Sequence, residues 1–165
     1  VIKKLLSSSF NSMQVTLVIL KPSAIQRGIL GEVVSRFEKK GLQIVGMKMT
    51  NLTDEQLQIH YSHLVHKPFY GRIKESMQAS PVIVMALKGV DAVNVVRKIT
   101  GVTNGREAEP GTIRGDFSVS VQENIVHASD TNETAQAELA RFFTTDEIFN
   151  YTQLTIPCVY ANDEY

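Results

Sequence analysis

Residues 15–20 read Val-Thr-Leu-Val-Ile-Leu and end at Lys21-Pro22. This continuous apolar and β-branched run lacks the alternation of a strand that has one face in water. It therefore predicts a strand buried on both faces, and we place it centrally in a sheet.

Helical patterns alternate with strand patterns downstream of this run. Leu30, Val33, Val34 and Phe37 recur at helical spacing, and Gly41 follows as a C-terminal cap. A second helix is expected to begin at the Thr53–Gln56 capping box, with its Leu52–Leu57 staple, and to end at about Tyr61. A third follows Pro68, and a fourth contains Val93 and Val96 and stops at Gly101. The last begins at an Asp130–Glu133 cap, and its apolar stripe is Ala135, Leu139 and Phe142.

Three more strands are expected from apolar, β-branched runs. They cover Leu42–Thr50 with a bulge at Gly46, Val82–Leu87, and Phe117–Val126 after an irregular stretch at 102–115. These elements are too few and too short for a doubly wound sheet, and their spacing is that of a split β-α-β arrangement. We predict an α+β, ferredoxin-like βαββαβ fold with a four-stranded antiparallel sheet covered by helices.

Composition indicates one globular domain at residues 13–165. Its 17 basic and 17 acidic residues balance, which argues against a dedicated nucleic-acid surface. The single cysteine and the absence of a membrane-length apolar run favour a cytoplasmic protein without a membrane partner. Residues 1–12 form an N-terminal extension with three open origins: a targeting remnant, sequence upstream of a start at Met13, or non-native sequence.

His127 lies where a predicted strand gives way to a capped helix, and anions collect at such positions. A phosphorylated imidazole would suit this place, although a histidine bonded in the core or left on the surface fits the position too. Glu138 lies next to the predicted buried face of the last helix. Either it reaches solvent, or it is buried and holds one ring nitrogen of a histidine.

Two further patterns concern anions and metals. Arg114 stands between Gly111 and Gly115 in a loop, where a guanidinium could bind phosphate or simply be solvated in an ordinary turn. Arg97 near a helix C-terminus has an equally ordinary explanation in the helix dipole. His60, His63 and His66 recur every three residues, which is not a usual metal spacing, so we expect surface histidines. Neither GxxxxGK[ST] nor GxGxxG occurs, so separate side chains must bind any phosphates.

From Met13-Gln14 to about Tyr160 the chain resembles the nucleoside diphosphate kinase family. The most specific segment is NIVHASD at 124–130, supported by KPSAIQRG at 21–28, HYSHL at 60–64, KPF at 67–69 and PGTIRGD at 110–116. The resemblance implies a kinase that moves the γ-phosphoryl of ATP or another nucleoside triphosphate onto His127 and then onto a nucleoside diphosphate, in ping-pong order.

The resemblance also implies a role for each matching residue. Glu138 orients the His127 ring, and Ser129 bonds near that carboxylate. Positions around phosphate and sugar match at Lys21, Tyr61, Arg97, Thr103, Arg114 and Asn124. Positions around the base match at Phe69, Ile73 and Val121. Base stacking reads a π-face, which accounts for tolerance of all four bases.

The resemblance also implies a Mg²⁺ ion that is held by the nucleotide phosphates, without a protein metal site. It further implies a homo-oligomer of four or six chains built from dimers. The sequence departs from the common family pattern at Ala128, usually glycine, at Gly105, usually proline, and at Ser23, often aspartate. A nucleotide-binding regulator without catalysis and an RNA-recognition module are the rival classes. Neither fits as well, because every matched position holds the expected residue and the chain lacks a basic face with surface aromatics.

Overall fold

The computed structural model describes residues 13–165, so the expected extension at 1–12 lies outside the described residues. The strands in this range are β1 (Met13–Leu20), β2 (Gln43–Thr50), β3 (Val82–Val90) and β4 (Val126–Ala128). The helices are α1 (Pro22–Gln26), α2 (Leu30–Lys39), α3 (Asp54–His60), α4 (Tyr70–Gln78), α5 (Ala92–Thr100), α6 (Ile113–Phe117), α7 (Asn132–Phe142) and α8 (Ile156–Val159), with a 3₁₀ turn at Thr145–Glu147.

The four strands form one sheet in the order β2-β3-β1-β4, and each neighbouring pair is antiparallel. β1 pairs with β3 along its whole length, from Met13 opposite Val90 to Leu20 opposite Ile83. β4 pairs only with the last three residues of β1, which sets His127 opposite Ile19. The predicted ferredoxin-like fold is thus confirmed, and β1 is central.

β1 is buried on both faces, as its sequence predicts. Leu17 and Ile19 belong to one core and Val18 and Leu20 to the other, and all four are 0% exposed. Successive side chains of a strand point to opposite faces, so one apolar run serves two cores. The core with Val18 and Leu20 includes residues of α2 and α5, and the other includes residues of α3, α4 and α7.

Several local predictions are confirmed. Both bonds of the capping box are present, from Gln56 N to Thr53 Oγ1 and from Thr53 N to Gln56 Oε1. The pairing of β2 with β3 shifts register between Ile44 and Gly46, which is the expected bulge. The start of α7 differs from the prediction, because the side chain of Thr131, rather than Asp130, accepts the capping bond from the N–H of Thr134.

The predicted fourth strand at 117–126 is wrong. Phe117 ends α6, residues 118–125 form a loop, and β4 begins only at Val126. Serine side chains explain the loop: Ser118 Oγ donates to carbonyls of the loop, and Ser120 Oγ accepts two of its backbone N–H groups. Local bonds of this kind compete with sheet pairing, and they leave Val119 and Val121 exposed despite their strand-like alternation.

Two glycines allow close packing around the segment between α5 and α6. A Cβ at Gly105 would lie 2.4 Å from the carbonyl oxygen of Ser118, so the present loop conformation has no room for the common proline. A Cβ at Gly115 in α6 would lie 2.0 Å from the carbonyl oxygen of Glu109. Both contacts are with backbone, which cannot turn aside as a flexible side chain could.

We expect Gly115→Ala to lower the free energy of unfolding by about 1–3 kcal/mol, because overpacking displaces the backbone at Glu109. Gly31→Ala in α2 is the matched control, since a Cβ there meets nothing within 4 Å. It should stabilise the protein by roughly 0.5–1 kcal/mol through lower chain entropy and higher helix propensity. Urea unfolding of the two variants measures both, and equal stabilities would contradict the packing described.

Candidate active site

A cavity of about 900 Å³ opens where β1 ends and β4 begins. Its walls come from β4, from Lys21 just after β1, from α3, α4, α5, α6 and α7, and from the segments that join them. Eleven of the twelve predicted site residues line it: Lys21, Tyr61, Phe69, Ile73, Arg97, Thr103, Arg114, Val121, Asn124, His127 and Glu138. The twelfth, Ser129, is buried behind Glu138.

His127 and Glu138 form the centre of the cavity. Nε2 of His127 lies 3.0 Å from each carboxylate oxygen of Glu138, and Ser129 Oγ donates to the same carboxylate. Glu138 is 5% exposed, so it is buried and does not reach solvent. Burial opposes its charge, but bonds from His127 and Ser129 outweigh burial and hold the pKa of Glu138 below its usual value.

This contact decides the tautomer of His127. An ionised carboxylate only accepts hydrogen bonds, so Nε2 carries the proton and Nδ1 keeps its lone pair. Among the hydrogen bonds of residues 13–165, none engages Nδ1. The ring therefore has one nitrogen fixed by the protein and one available for chemistry.

His60 is the site residue that sequence reasoning missed. Predicted at the surface, it is 8% exposed and its ring lies edge-on to His127, with centroids 4.4 Å apart. His60 follows Leu57 by three residues and so shares its inward face of α3, which is the signal that could have found it. Burial first, and then the neighbouring His127, lower the pKa of His60 to about 3, so its ring is neutral. His63 and His66 are exposed, as predicted.

Basic side chains converge elsewhere on the cavity wall. Nζ of Lys21 donates to Asn124 Oδ1 at 2.6 Å and to the carbonyl of Gln122 at 3.0 Å. Asn124 in turn donates to the carbonyls of Thr103 and Val121, so it holds the loop at 118–125 in place. This amide connects the lysine to both neighbouring loops.

Arg114 is fixed by three backbone carbonyls, those of Gly101, Asn124 and Val126. Burial and then repulsion from Arg97 lower the pKa of Arg114 to about 10. Burial and then Arg114 lower the pKa of Lys21 to about 8. Among the described ion pairs none involves Lys21, Arg97 or Arg114, so these crowded cations form an electropositive wall that favours an anion.

The turn before β4 is strained. Ile125 is fully buried and has a φ of 72°, a left-handed value that a β-branched residue rarely adopts, at a cost of about 1–3 kcal/mol. Its carbonyl accepts the N–H of Lys21 at 2.9 Å, and the carbonyl of Asn124 accepts the N–H of Val126 at 2.8 Å. The strained turn directs successive carbonyls toward Lys21 and Arg114, and no pattern in the sequence reveals it.

An open slot with apolar walls lies farther out. Phe69 and Ile73 lie on one side, and Val121, 50% exposed, lies in the loop at 118–125. Two bonds join α4 to that loop: Gln122 Nε2 to the carbonyl of Arg72 at 3.2 Å, and Ser76 Oγ to a carboxylate oxygen of Glu123. These bonds hold α4 and the loop at 118–125 together at one end of the slot.

Comparison with known proteins identifies the family. A family model described as nucleoside diphosphate kinase matches residues 14–148. The chain belongs to the nucleoside diphosphate kinase family. The match covers the sheet, the cavity and α7, so the predicted family and its enzyme class, a phosphotransferase, are confirmed.

Individual nucleoside diphosphate kinases agree over nearly the whole chain. One from Parabacteroides distasonis is 62% identical over 153 residues, covering 93% of this chain and all of that protein. One from Rhodopirellula baltica is 49% identical, covering 92% of this chain and all of that protein. The solved structure of a halophilic nucleoside diphosphate kinase from Halobacterium salinarum in complex with CDP has a TM-score of 0.88 at 35% identity, covering 90% of this chain and 99% of that one.

Within residues 13–165, no helix combines the length and the apolar character that crossing a bilayer requires.

Proposed function

We propose that this nucleoside diphosphate kinase family member uses His127 as its phosphoryl carrier. The observation that supports this most directly is the fixed His127 ring, with Nε2–H bonded to buried Glu138 and Nδ1 free in a cavity that Lys21, Arg97 and Arg114 also line. A nucleophile held by a carboxylate and facing cations suits phosphoryl transfer. His127 is the nucleophile, Glu138 positions its ring, and Ser129 supports that carboxylate.

In the first half-reaction, the Nδ1 lone pair of His127 attacks the γ-phosphorus in line. A nitrogen–phosphorus bond forms as the bond from phosphorus to the β-γ bridging oxygen breaks, and the nucleoside diphosphate leaves with that electron pair. The imidazole becomes cationic, and the Glu138 carboxylate at 3.0 Å stabilises the charge. The ring needs no proton transfer, because its only proton is already on Nε2.

The triphosphate is held by Lys21, Arg97 and Arg114. A nucleoside triphosphate carries about four negative charges, which exceed the three side-chain cations, so a Mg²⁺ ion bound by the phosphates fits the charge balance. The ion would neutralise and orient the phosphate oxygens. Thr103, Asn124 and Tyr61 supply polar groups beside phosphate and sugar, and Tyr61 stays neutral because burial raises its pKa to about 12.

The base lies in the slot formed by Phe69, Ile73 and Val121. Aromatic and aliphatic surfaces read the π-face of a base rather than its hydrogen-bonding edge, so purines and pyrimidines both fit. In the second half-reaction another nucleoside diphosphate occupies the same cavity and takes the phosphoryl from Nδ1. One site used twice gives ping-pong kinetics.

We further propose that the chain forms a homo-oligomer built from dimers, as a tetramer or a hexamer, and that it is cytoplasmic. Exposed apolar side chains on the edge strand β2, Met47 at 44% and Met49 at 57%, support a contact between chains. Leu154, 88% exposed, adds to the apolar surface available for such a contact. Light scattering distinguishes a monomer, which would contradict the proposal, from the two assemblies.

The phosphohistidine is tested by intact-protein mass after incubation with Mg·ATP. Wild type should gain one phosphoryl that is acid-labile and lost on addition of GDP, and His127→Ala should gain nothing. His66→Ala is the matched control, because His66 is exposed and does not line the cavity, and it should behave as wild type. If wild type binds nucleotide and gains no mass, the chain is a nucleotide-binding regulator instead.

Lys21 predicts a pH limit on nucleotide affinity. Its pKa of about 8 means that the charge is present below pH 8 and is lost as the pH rises through that value. Affinity for ADP should therefore fall by up to about tenfold between pH 7 and pH 9. Lys21→Arg should bind with an affinity that stays flat over this range, because a guanidinium remains charged. Calorimetric titration measures both, and parallel profiles would assign the limit to another group.

A further inference from the structure

Three side chains in the cavity wall form a cluster with metal-ligand chemistry. Glu138 Oε1 lies 3.0 Å from His127 Nε2 and 3.4 Å from His60 Nδ1, and the ligand atoms of the three residues all lie within 4.8 Å of one another. Zinc binds imidazole nitrogen and carboxylate oxygen at about 2.0–2.2 Å, which places tetrahedral ligands roughly 3.3 Å apart. Two of the three separations already match this value.

The hydrogen bonds of His60 show where its lone pair points. Arg141 Nη1 lies 3.1 Å from His60 Nδ1, and a guanidinium only donates, so Nδ1 is the acceptor. The proton of this neutral ring is then on Nε2, which is buried and has no hydrogen-bond partner among the described residues. Nδ1 is therefore the unprotonated nitrogen, in the tautomer that a metal ion needs, and its lone pair becomes available to the cluster when Arg141 turns away.

We propose that His60, Glu138 and His127 form an inhibitory site for a divalent transition-metal ion of the zinc type. The proposal rests on the proposed function for its inhibitory effect but not for the binding itself. Two imidazoles and one carboxylate are the ligand set of an open zinc site, and a water molecule completes the coordination. Mg²⁺ prefers oxygen ligands, so the ion carried by the nucleotide does not compete for these nitrogens.

Occupancy of this site blocks the nucleophile. The ion takes the electron pair of Nε2 of His127, and the proton of that nitrogen moves to Nδ1 because a neutral imidazole carries one proton. Nδ1 then has no lone pair for phosphorus. The metal also takes Glu138 Oε1, so the carboxylate no longer stabilises a cationic ring. No oxidation state changes in this exchange.

Arg141 determines how easily the ion enters. Its guanidinium occupies the Nδ1 side of His60 and repels a dication there. The arginine projects from α7 and lines the open cavity, so it can turn away when the ion binds. The native arginine thus protects the nucleophile, and its removal should strengthen metal binding.

The test uses the full metal-free chain without nucleotide. Zn²⁺ affinity is measured by calorimetry, and Co²⁺ serves as a spectroscopic substitute whose visible bands report a site of low coordination number. Wild type should bind one ion per chain. His60→Gln should weaken binding at least tenfold, Arg141→Met should tighten it at least tenfold, and His66→Gln should leave it unchanged. Equal affinities of wild type, His60→Gln and Arg141→Met would overturn the site, and the gain in Arg141→Met does not depend on how well His60→Gln folds.

Inhibition is measured separately, as the mass gain with Mg·ATP at increasing Zn²⁺. Each variant is compared with its own metal-free value, and Arg141→Met should be inhibited at lower Zn²⁺ than wild type. If the metal-free wild type gains no mass, the proposed function fails, whereas metal binding is still judged by calorimetry. If phosphorylation proceeds equally with the site loaded, the inhibitory role is wrong.

Discussion

The buried carboxylate of Glu138 is the constraint on which the site depends. A carboxylate that is 5% exposed must have donors, because leaving it unpaired costs several kcal/mol. His127 on β4 and Ser129 just after it supply them. The packing of α7 against β1 and the short pairing of β4 with β1 bring these residues together. The same contact that satisfies the buried charge also fixes which ring nitrogen can react.

Charge is divided unequally within a chain whose net charge is zero. The carboxylate lies behind the His127 ring, and Lys21, Arg97 and Arg114 lie together elsewhere on the cavity wall. Burial first, and then repulsion from a neighbouring arginine, lower the pKa of both Lys21 and Arg114, and a bound phosphate chain would relieve that repulsion. Local charge rather than net charge therefore determines what this cavity binds.

Sequence patterns reveal what depends on neighbours along the chain. The run at 15–20, the capping box at Thr53 and the stripe on α7 are local, and each predicted its element correctly. The loop at 118–125 was mistaken for a strand, because Val119 and Val121 alternate as a strand does while serine side chains close the loop on itself. The contact of Glu138 with His127 depends on how α7 packs, so residue spacing left it open and only family resemblance singled it out. The burial of His60 does not follow from its spacing to His63 and His66, which are exposed, but from its spacing to Leu57, which sets it on the inward face of α3.

Strain at Ile125 connects nucleotide binding to the geometry of the nucleophile. Lys21 bonds to the carbonyl of Ile125 through its backbone, and Arg114 bonds to the carbonyls on both sides of that residue. A left-handed β-branched residue persists only where its surroundings over-determine it. A substitution at Lys21 keeps the backbone bond to Ile125, whereas the Arg114 side chain both holds this turn and is proposed to meet the phosphates. Losing Arg114 would therefore weaken phosphate binding and also free the strand that carries His127. A change in turnover after such a substitution therefore reports two effects, and only an independent measurement of His127 ring position separates them.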